Sequence, residues 1–367
     1  MRAIGLLALL HLYIGWRLAT ALPAAAAVAL IAGLLLSSAL IPAAFVGRRA
    51  TDRRVADRWS WAGMLALGLF AVLLVLTLLR EGVLLLGWLV SAANLGPPTA
   101  AAVPVLALLA VAVGLVGARR TARVRNVEVP IAGLPAALHG FTIAQISDVH
   151  VGPTVKRGYV AAIVAAVNRL KADAVAVTGD LVDGRVADLQ HDVAPLAALR
   201  SRHGSFFVTG NHEYYSGAAE WTACLATLGL TVLNNEHVVL RHDGAALVLA
   251  GVTDYGAHHF APDQRSDPRR ALAGAPPEAA VRVLLAHQPR SAAAAAEAGF
   301  DLQLSGHTHG GQFWPFHLFV PLQQPFTAGL HRLRQLWVYT SRGTGYWGPP
   351  LRLLAPSEIT RLRLVAV

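Results

Sequence analysis

Five short motifs in this chain carry aspartate, histidine and asparagine, the side chains that divalent metals select in hydrolytic sites. In order they are Asp148-Val149-His150, Gly179-Asp180, Gly210-Asn211-His212-Glu213, a lone His287 after an apolar run, and Gly306-His307-Thr308-His309-Gly310-Gly311-Gln312. In the last, two histidines two residues apart, bounded by glycines, can project to the same side of a tight turn. A lone Asp or His at a strand end is ordinary turn or cap chemistry, and Gly-Asp or Gly-Asn alone is an ordinary turn. Five in order, each after a β-like run, read as a two-metal hydrolase.

The elements that must position them alternate β-like and helical segments. Residues 141–146 lead into Asp148, 174–177 into Gly179-Asp180, 205–208 into Gly210-Asn211-His212, 281–285 into His287, and 301–304 into Gly306-His307. Helices are expected at about 156–170, 187–200, 217–228 and 291–299, and further strands at 231–233, 237–240 and 246–250. Continuous apolar runs predict strands buried on both faces. In open α/β sheets the loops beyond the carboxyl ends of strands converge in a crevice that binds ligands. Late strands at 336–340 and 359–365 are expected to complete a second sheet. The reading is a layered α/β/β/α sandwich over 126–367, with its site at the loop edge.

The first 125 residues differ in kind. Apolar runs near 3–20, 22–46, 61–79 and 99–117 approach or exceed the roughly 20 residues that span a bilayer, so 1–125 reads as an all-α transmembrane anchor of about four helices. Residues 80–98 could be an interfacial helix, a re-entrant segment or a fifth span. The net charge of +10 raises the question of a nucleic-acid partner. From residue 126 onward there are 19 Lys+Arg against 18 Asp+Glu, whereas the first 125 residues hold 12 Arg and three acids. The basicity belongs to the membrane flanks, and no nucleic-acid partner is expected. Arginine clusters at 48–58 and 119–125 flank apolar spans, which by the positive-inside rule places both clusters, and the domain that follows, in the cytoplasm at the inner membrane. Cys224 is the only cysteine, so no intrachain disulfide can form.

The ordered motifs D-x-H, G-D, G-N-H-E, H and G-H-x-H resemble the calcineurin-like metallophosphoesterase superfamily, in particular the membrane-anchored bacterial YkuE-like branch. Ser341-Arg342-Gly343-Thr344-Gly345 and the set Arg352, Pro356, Glu358 and Ile359 fit that branch too. The resemblance covers about 126–367 and implies a metallophosphoesterase-like sandwich. It implies that Asp148, His150, Asp180 and His309 bind one metal, that Asp180, Asn211, His287 and His307 bind a second, and that Asp180 bridges them. His212 would stand above the pair as general acid. Two cations about 3.5–4 Å apart clamp phosphoryl oxygens and acidify a bridging water, which then attacks phosphorus in line. Mn, Fe or Zn would suit these donors. Glu213 and Asp183 are expected to orient site histidines. Asp254 is read as a turn residue or a neighbour of the site, Arg342 as a phosphate contact or a surface ion pair, and His11, His258 and His259 as structural.

The aromatic stretch 313–320 is read either as a core segment beneath the second sheet or as a lip that docks on membrane lipids. With the anchor it points to a lipid-linked phosphoester or pyrophosphate, of which a UDP-diacylglucosamine-type pyrophosphate is one form that the resemblance implies. The alternatives are a tethered phosphodiesterase for soluble nucleotides and a non-catalytic membrane scaffold.

Overall fold

The computed structural model describes residues 2–47, 52–90 and 94–367. These form two compact units, Met1–Arg119 with Gly348–Leu353, and Arg120–Trp347 with Leu354–Val367.

The first unit holds four helices, α1 (Arg2–Ala19), α2 (Ala24–Gly47), α3 (Arg53–Leu89) and α4 (Gly96–Arg119). Leucine, alanine and valine are spread around them rather than gathered in one stripe. Three of them, α2, α3 and α4, are long and apolar enough to cross a membrane, while the apolar stretch of α1, Ile4–Ala19, is shorter. Residues 80–89 continue α3 without a break, so the expected separate interfacial helix or fifth span is not formed there. Residues 91–93 of that stretch, and 48–51 of the first arginine cluster, lie outside the described residues. Asp52 caps α3 by accepting the Arg54 N–H at 2.7 Å.

Polar groups inside this unit are matched internally. His11 hydrogen-bonds Ser37 at 3.1 Å and stacks on Phe70, a structural role as expected. Arg80 is buried and donates to Thr99 Oγ1, to the Gly96 carbonyl and to the Arg17 carbonyl. Glu81 pairs with Arg17. The segment 348–353 returns to these helices, with buried Leu351 beside Gly68 and Gly114 and the Arg352 N–H donating to the Gly114 carbonyl at 2.9 Å.

The second unit contains two six-stranded mixed sheets. Its strands are β1 (Arg123–Ile131), β2 (Thr142–Ile146), β3 (Ala174–Thr178), β4 (Ser205–Val208), β5 (Leu230–Val232), β6 (Glu236–His242), β7 (Ala245–Gly251), β8 (Val281–Leu285), β9 (Leu302–Ser305), β10 (Gly329–Leu333), β11 (Leu336–Thr340) and β12 (Glu358–Ala366). Helices α5 (Arg157–Arg169), α6 (Val186–Val193), α7 (Asn211–Ser216), α8 (Ala218–Thr227), α9 (Pro268–Ala271) and α10 (Ala292–Ala298) connect them. The sheet orders are β1-β12-β2-β3-β4-β5 and β10-β11-β9-β8-β7-β6. Strands β2 to β5 run parallel, as do β7, β8, β9 and β11.

Alternate residues of both sheets, among them Ile143, Ala176, Phe206, Leu249, Val283 and Leu304, meet in one core. The period of two sends the intervening residues to the opposite faces. On the second sheet these are Val248, Ala250, Leu284 and Val338, which pack with Ala292, Ala295 and Phe300 in a second core. Every residue of β2, β3 and β4 is buried, in agreement with strands buried on both faces.

Two expectations are corrected. The last strand, β12, does not complete the second sheet: it enters the first, parallel to β1 over nine register pairs and antiparallel to β2. The aromatic stretch 313–320 is not a core segment either. Only Phe313 of its apolar side chains is buried, while Phe316, Leu318 and Phe319 are exposed among short 3-10 turns.

Candidate metal centre

Each predicted motif occupies the loop at the carboxyl end of a strand: Asp148 and His150 after β2, Asp180 after β3, Asn211 and His212 after β4, His287 after β8, and His307 and His309 after β9. These strands are parallel within each sheet, so their loops leave at the same edge. The loops bind one another through the backbone. Asp148 N–H donates to the Gly179 carbonyl, His150 N–H to that of Asp180, and Val151 N–H to that of Leu181.

Asp148, His150, Asp180, His307 and His309 all adopt left-handed backbone, with φ of 53°, 54°, 50°, 69° and 51°. A non-glycine residue held there costs on the order of 1–3 kcal/mol and persists only where its surroundings over-determine it. The turn aims successive side chains at one point. Glycine is required at two places. A Cβ on Gly210 would strike the Asp180 carboxylate, and one on Gly306 would strike Ser147 and Asp148.

The donor atoms gather in overlapping groups. Asp148, His150 and His309 form one, Asp180, His287 and His307 another, and His150, Asp180 and His212 a third, with the donor atoms of each group within 4.8 Å of one another. His150 Nε2 lies 3.0 Å from His309 Nε2, which lies 3.5 Å from Asp148 Oδ1. His287 Nε2 lies 3.1 Å from Asp180 Oδ2 and 3.3 Å from His307 Nδ1. Asp180 Oδ2 is also 3.9 Å from the Nε2 atoms of both His150 and His212. Asn211 Oδ1 is buried without a hydrogen-bond partner, an arrangement normally costly for a polar atom.

An orphaned carbonyl oxygen beside carboxylates and converging imidazole nitrogens fits divalent cations bound through N and O donors. The electrostatics agree. Burial raises the Asp148 carboxyl. Burial also pushes Asp180 upward, but the charge and hydrogen bond of His287 outweigh it and hold the carboxyl well below its ordinary value. Burial would lower His287 and His150, yet Asp180 holds the first well above its ordinary value and Asp183 raises the second to about 9. His307, lowered by burial and then by the charge of His287, falls to about 3. Without a cation, protons on His150 and His287 supply the positive charge that the carboxylates call for.

The surrounding residues divide the work differently from the sequence expectation. Asp183 receives both His150 Nδ1, at 2.9 Å, and His212 Nδ1, at 2.6 Å, which orients the Nε2 atoms inward. Among the described residues Glu213 hydrogen-bonds no histidine, which corrects its expected role. Its carboxylate accepts the backbone N–H groups of Gly210, Asp180 and Leu181 at 2.6, 3.0 and 2.8 Å, and so ties the β3 and β4 loops together. Asp254 is buried, accepts from Gly256 N–H and from Gln288 Nε2, and combines the turn role with a place beside the site. Arg342 pairs with buried Glu358 at 3.4 Å, the ion-pair alternative. The late motif Ser341–Gly345, which the resemblance singled out without a structural role, grips the Asp148 loop: the Thr344 and Gly345 N–H groups donate to the Ser147 and Asp148 carbonyls.

Residues 141–311 match the calcineurin-like phosphoesterase family. The chain is 40% identical over 272 residues to a transmembrane protein with metallophosphoesterase domain of Danio rerio, covering 71% of this chain and 62% of that protein. It is 34% identical to an uncharacterized metallophosphoesterase of Campylobacter jejuni, covering 71% of this chain and 68% of the relative. It is 30% identical to the metallophosphoesterase YkuE of Bacillus subtilis, covering 62% and 80%. The chain thus spans less than two thirds of the length of the Danio rerio protein and of its Bos taurus counterpart, 62% of each.

Proposed function

The chain belongs to the calcineurin-like metallophosphoesterases, and from that premise we propose that it hydrolyses a phosphoester or pyrophosphate at a dinuclear metal centre. In this reading Asp148, His150, Asp180 and His309 hold one ion, and Asp180, Asn211, His287 and His307 the other. When bound, the cations supply Lewis acidity toward phosphoryl oxygens and acidify water to near neutral pH. Mn, Fe and Zn all suit the donor set.

The protein's own groups do the rest. Asp180 Oδ2 lies within 3.9 Å of three imidazole nitrogens drawn from separate loops, the observation that most supports its bridging position. Asp183 accepts from His212 Nδ1 and fixes the ring, whose Nε2 then faces the site as the proton donor to the leaving oxygen. The buried loops exclude water from the carboxylates, which strengthens each charge interaction there.

The substrate in this reading is lipid-linked. Leu318, Phe319 and Leu322 are 63%, 58% and 83% exposed close in sequence to the histidine loop, and a soluble enzyme seldom leaves such side chains open to water. Three helices long enough to cross a membrane make a bilayer available to the same chain. By the positive-inside rule the catalytic unit lies on the cytoplasmic side.

Detergent-purified full-length protein, loaded with Mn, is expected to hydrolyse bis-p-nitrophenyl phosphate. Asp180→Asn should lower kcat by about 100-fold or more and reduce the metal bound per chain, because the neutral amide removes the negative charge that both cations would share. An Asp180→Asn protein with full activity would sink the bridging role. Lipid phosphoesters in mixed micelles should outrun water-soluble ones; the reverse order would favour a soluble substrate.

A further inference from the structure

His212 stands inside a row of aromatic rings that no metal-binding role explains. Its ring meets Trp347 edge to face at a centroid distance of 5.7 Å and Tyr215 at 5.2 Å, and Tyr215 meets Phe260 at 5.6 Å. The outer rings are uncovered, with Tyr215, Phe260 and Trp347 exposed by 64%, 54% and 54%. Edge-to-face contact fixes their positions while leaving apolar surface open to solvent.

Trp347 is held with particular firmness. Its N–H donates to Gln312 Oε1 at 2.8 Å, and Gln312 Nε2 donates back to its carbonyl at 2.8 Å. Gln312 is itself buried and left-handed, with φ 59°, at the end of the loop that carries His307 and His309. This two-way clamp ties the Trp347 backbone to the end of the histidine loop, while its ring meets His212.

We propose that Trp347, Tyr215 and Phe260 form the leaving-group wall of the site and select phosphoesters whose leaving alcohol carries an apolar body, with Gln312 as the residue that positions Trp347. The inference rests on the reading of His212 as proton donor, because the donor marks the side from which the alcohol departs. An apolar body laid on the wall removes both its own surface and that of the rings from water. The alkoxide oxygen is thereby brought to His212 Nε2. A small or charged alcohol gains nothing there.

The test uses one substrate with two possible leaving groups. Methyl 2-phenylethyl phosphate releases either 2-phenylethanol or methanol, and methyl octyl phosphate tests a chain in place of a ring. The Mn-loaded full-length protein should release mainly the apolar alcohol from one or both. Trp347→Ala should shift the product ratio toward methanol by about tenfold, the scale on which apolar pockets discriminate. Gln312→Ala should shift it the same way with the indole still present. A ratio within one sample does not depend on how much protein is folded or loaded, so a partly unfolded variant still answers. Preferential shift with the phenyl substrate identifies a ring-bearing alcohol, and with the octyl substrate a lipid chain.

A wild-type ratio favouring methanol, or one that Trp347→Ala does not move, overturns the wall. Failure to cleave bis-p-nitrophenyl phosphate as well would overturn the hydrolase reading itself. If only the proton-donor reading is wrong, loss of the His212 imidazole will slow nitrophenyl and alkyl esters equally while the Trp347 ratio still shifts.

Discussion

At the scale of single residues, His212 and His150 differ although both rest on Asp183. His212 is half-buried at the edge of the cluster, whereas His150 lies inside it, beside His309. A proton donor matters most when the leaving group is a poor one. His212→Ala should therefore slow an alkyl phosphodiester by about 10²–10⁴-fold, the usual contribution of general acid catalysis, and slow a p-nitrophenyl ester much less. Steady-state rates on the two esters check this, and an equal loss would remove the donor role. His150 carries the pH prediction. Its pKa of about 9 in the metal-free fold is raised above the ordinary value by Asp183, so the pair's contribution to stability is complete below about 6.5, the unfolded value, and lost as pH rises through about 9. The thermal midpoint of metal-free protein should fall between pH 7 and 10. A bound cation requires neutral imidazole, so loading at pH 7 should release protons. Calorimetry in two buffers of different ionisation heat measures that release, and zero release would contradict the raised pKa.

At the scale of elements, the loops after β3 and β4 depend on one carboxylate. Glu213 sits in the first turn of α7 and serves three backbone N–H groups across two loops. Glu213→Ala would leave these buried donors without an acceptor, at on the order of 1–3 kcal/mol each. We expect a destabilisation of on the order of 3 kcal/mol by denaturant titration, together with weaker metal retention as the Asp180 turn loosens. A variant as stable as wild type would show that water replaces the clamp. The strands that carry the motifs were legible because unbroken apolar runs end abruptly at polar turns, and 205–208 and 281–285 coincide with β4 and β8, as 336–340 does with β11, which carries no motif. The division between Asp183 and Glu213 was not legible. Both lie near a motif, and which one faces the histidines depends on how two loops stack. The place of β12 was equally hidden, since its pairing with β1 joins residues more than two hundred positions apart. Local apolarity likewise does not reveal whether 313–320 is covered. The exposed rings around His212 also left no periodic signal, because they come from α7, a 3-10 turn and a late loop.

At the scale of the whole molecule, the side of the membrane proposed for the catalytic unit rests on α3 and α4 rather than on α1. The arginine cluster before α3 and the one after α4 enclose two helices, each long enough to cross. Two crossings return the chain to the side it left, so both clusters lie together whether or not the shorter α1 spans. The continuity of α3 through residue 89 strengthens this parity, since no further crossing arises in 80–89. At the other end of the helices, Arg17 and Arg80 pair with Glu81 and carbonyl groups, which neutralises much of their weight in the charge balance. Under the proposed topology the positive-inside rule would put both clusters in the cytoplasm. A reporter fused after Ala122 is expected to be active in its cytoplasmic form, such as a fluorescent protein, and inactive as a phosphatase that must be exported to fold. The opposite pattern would place the domain outside, either with both arginine clusters on that side or with one of α3 and α4 not crossing. Deleting α1 separates the arguments further. The reporter after Ala122 should keep its side, because the α3–α4 pair and its flanking arginines remain, and a reversal on deletion would show that α1 sets the topology.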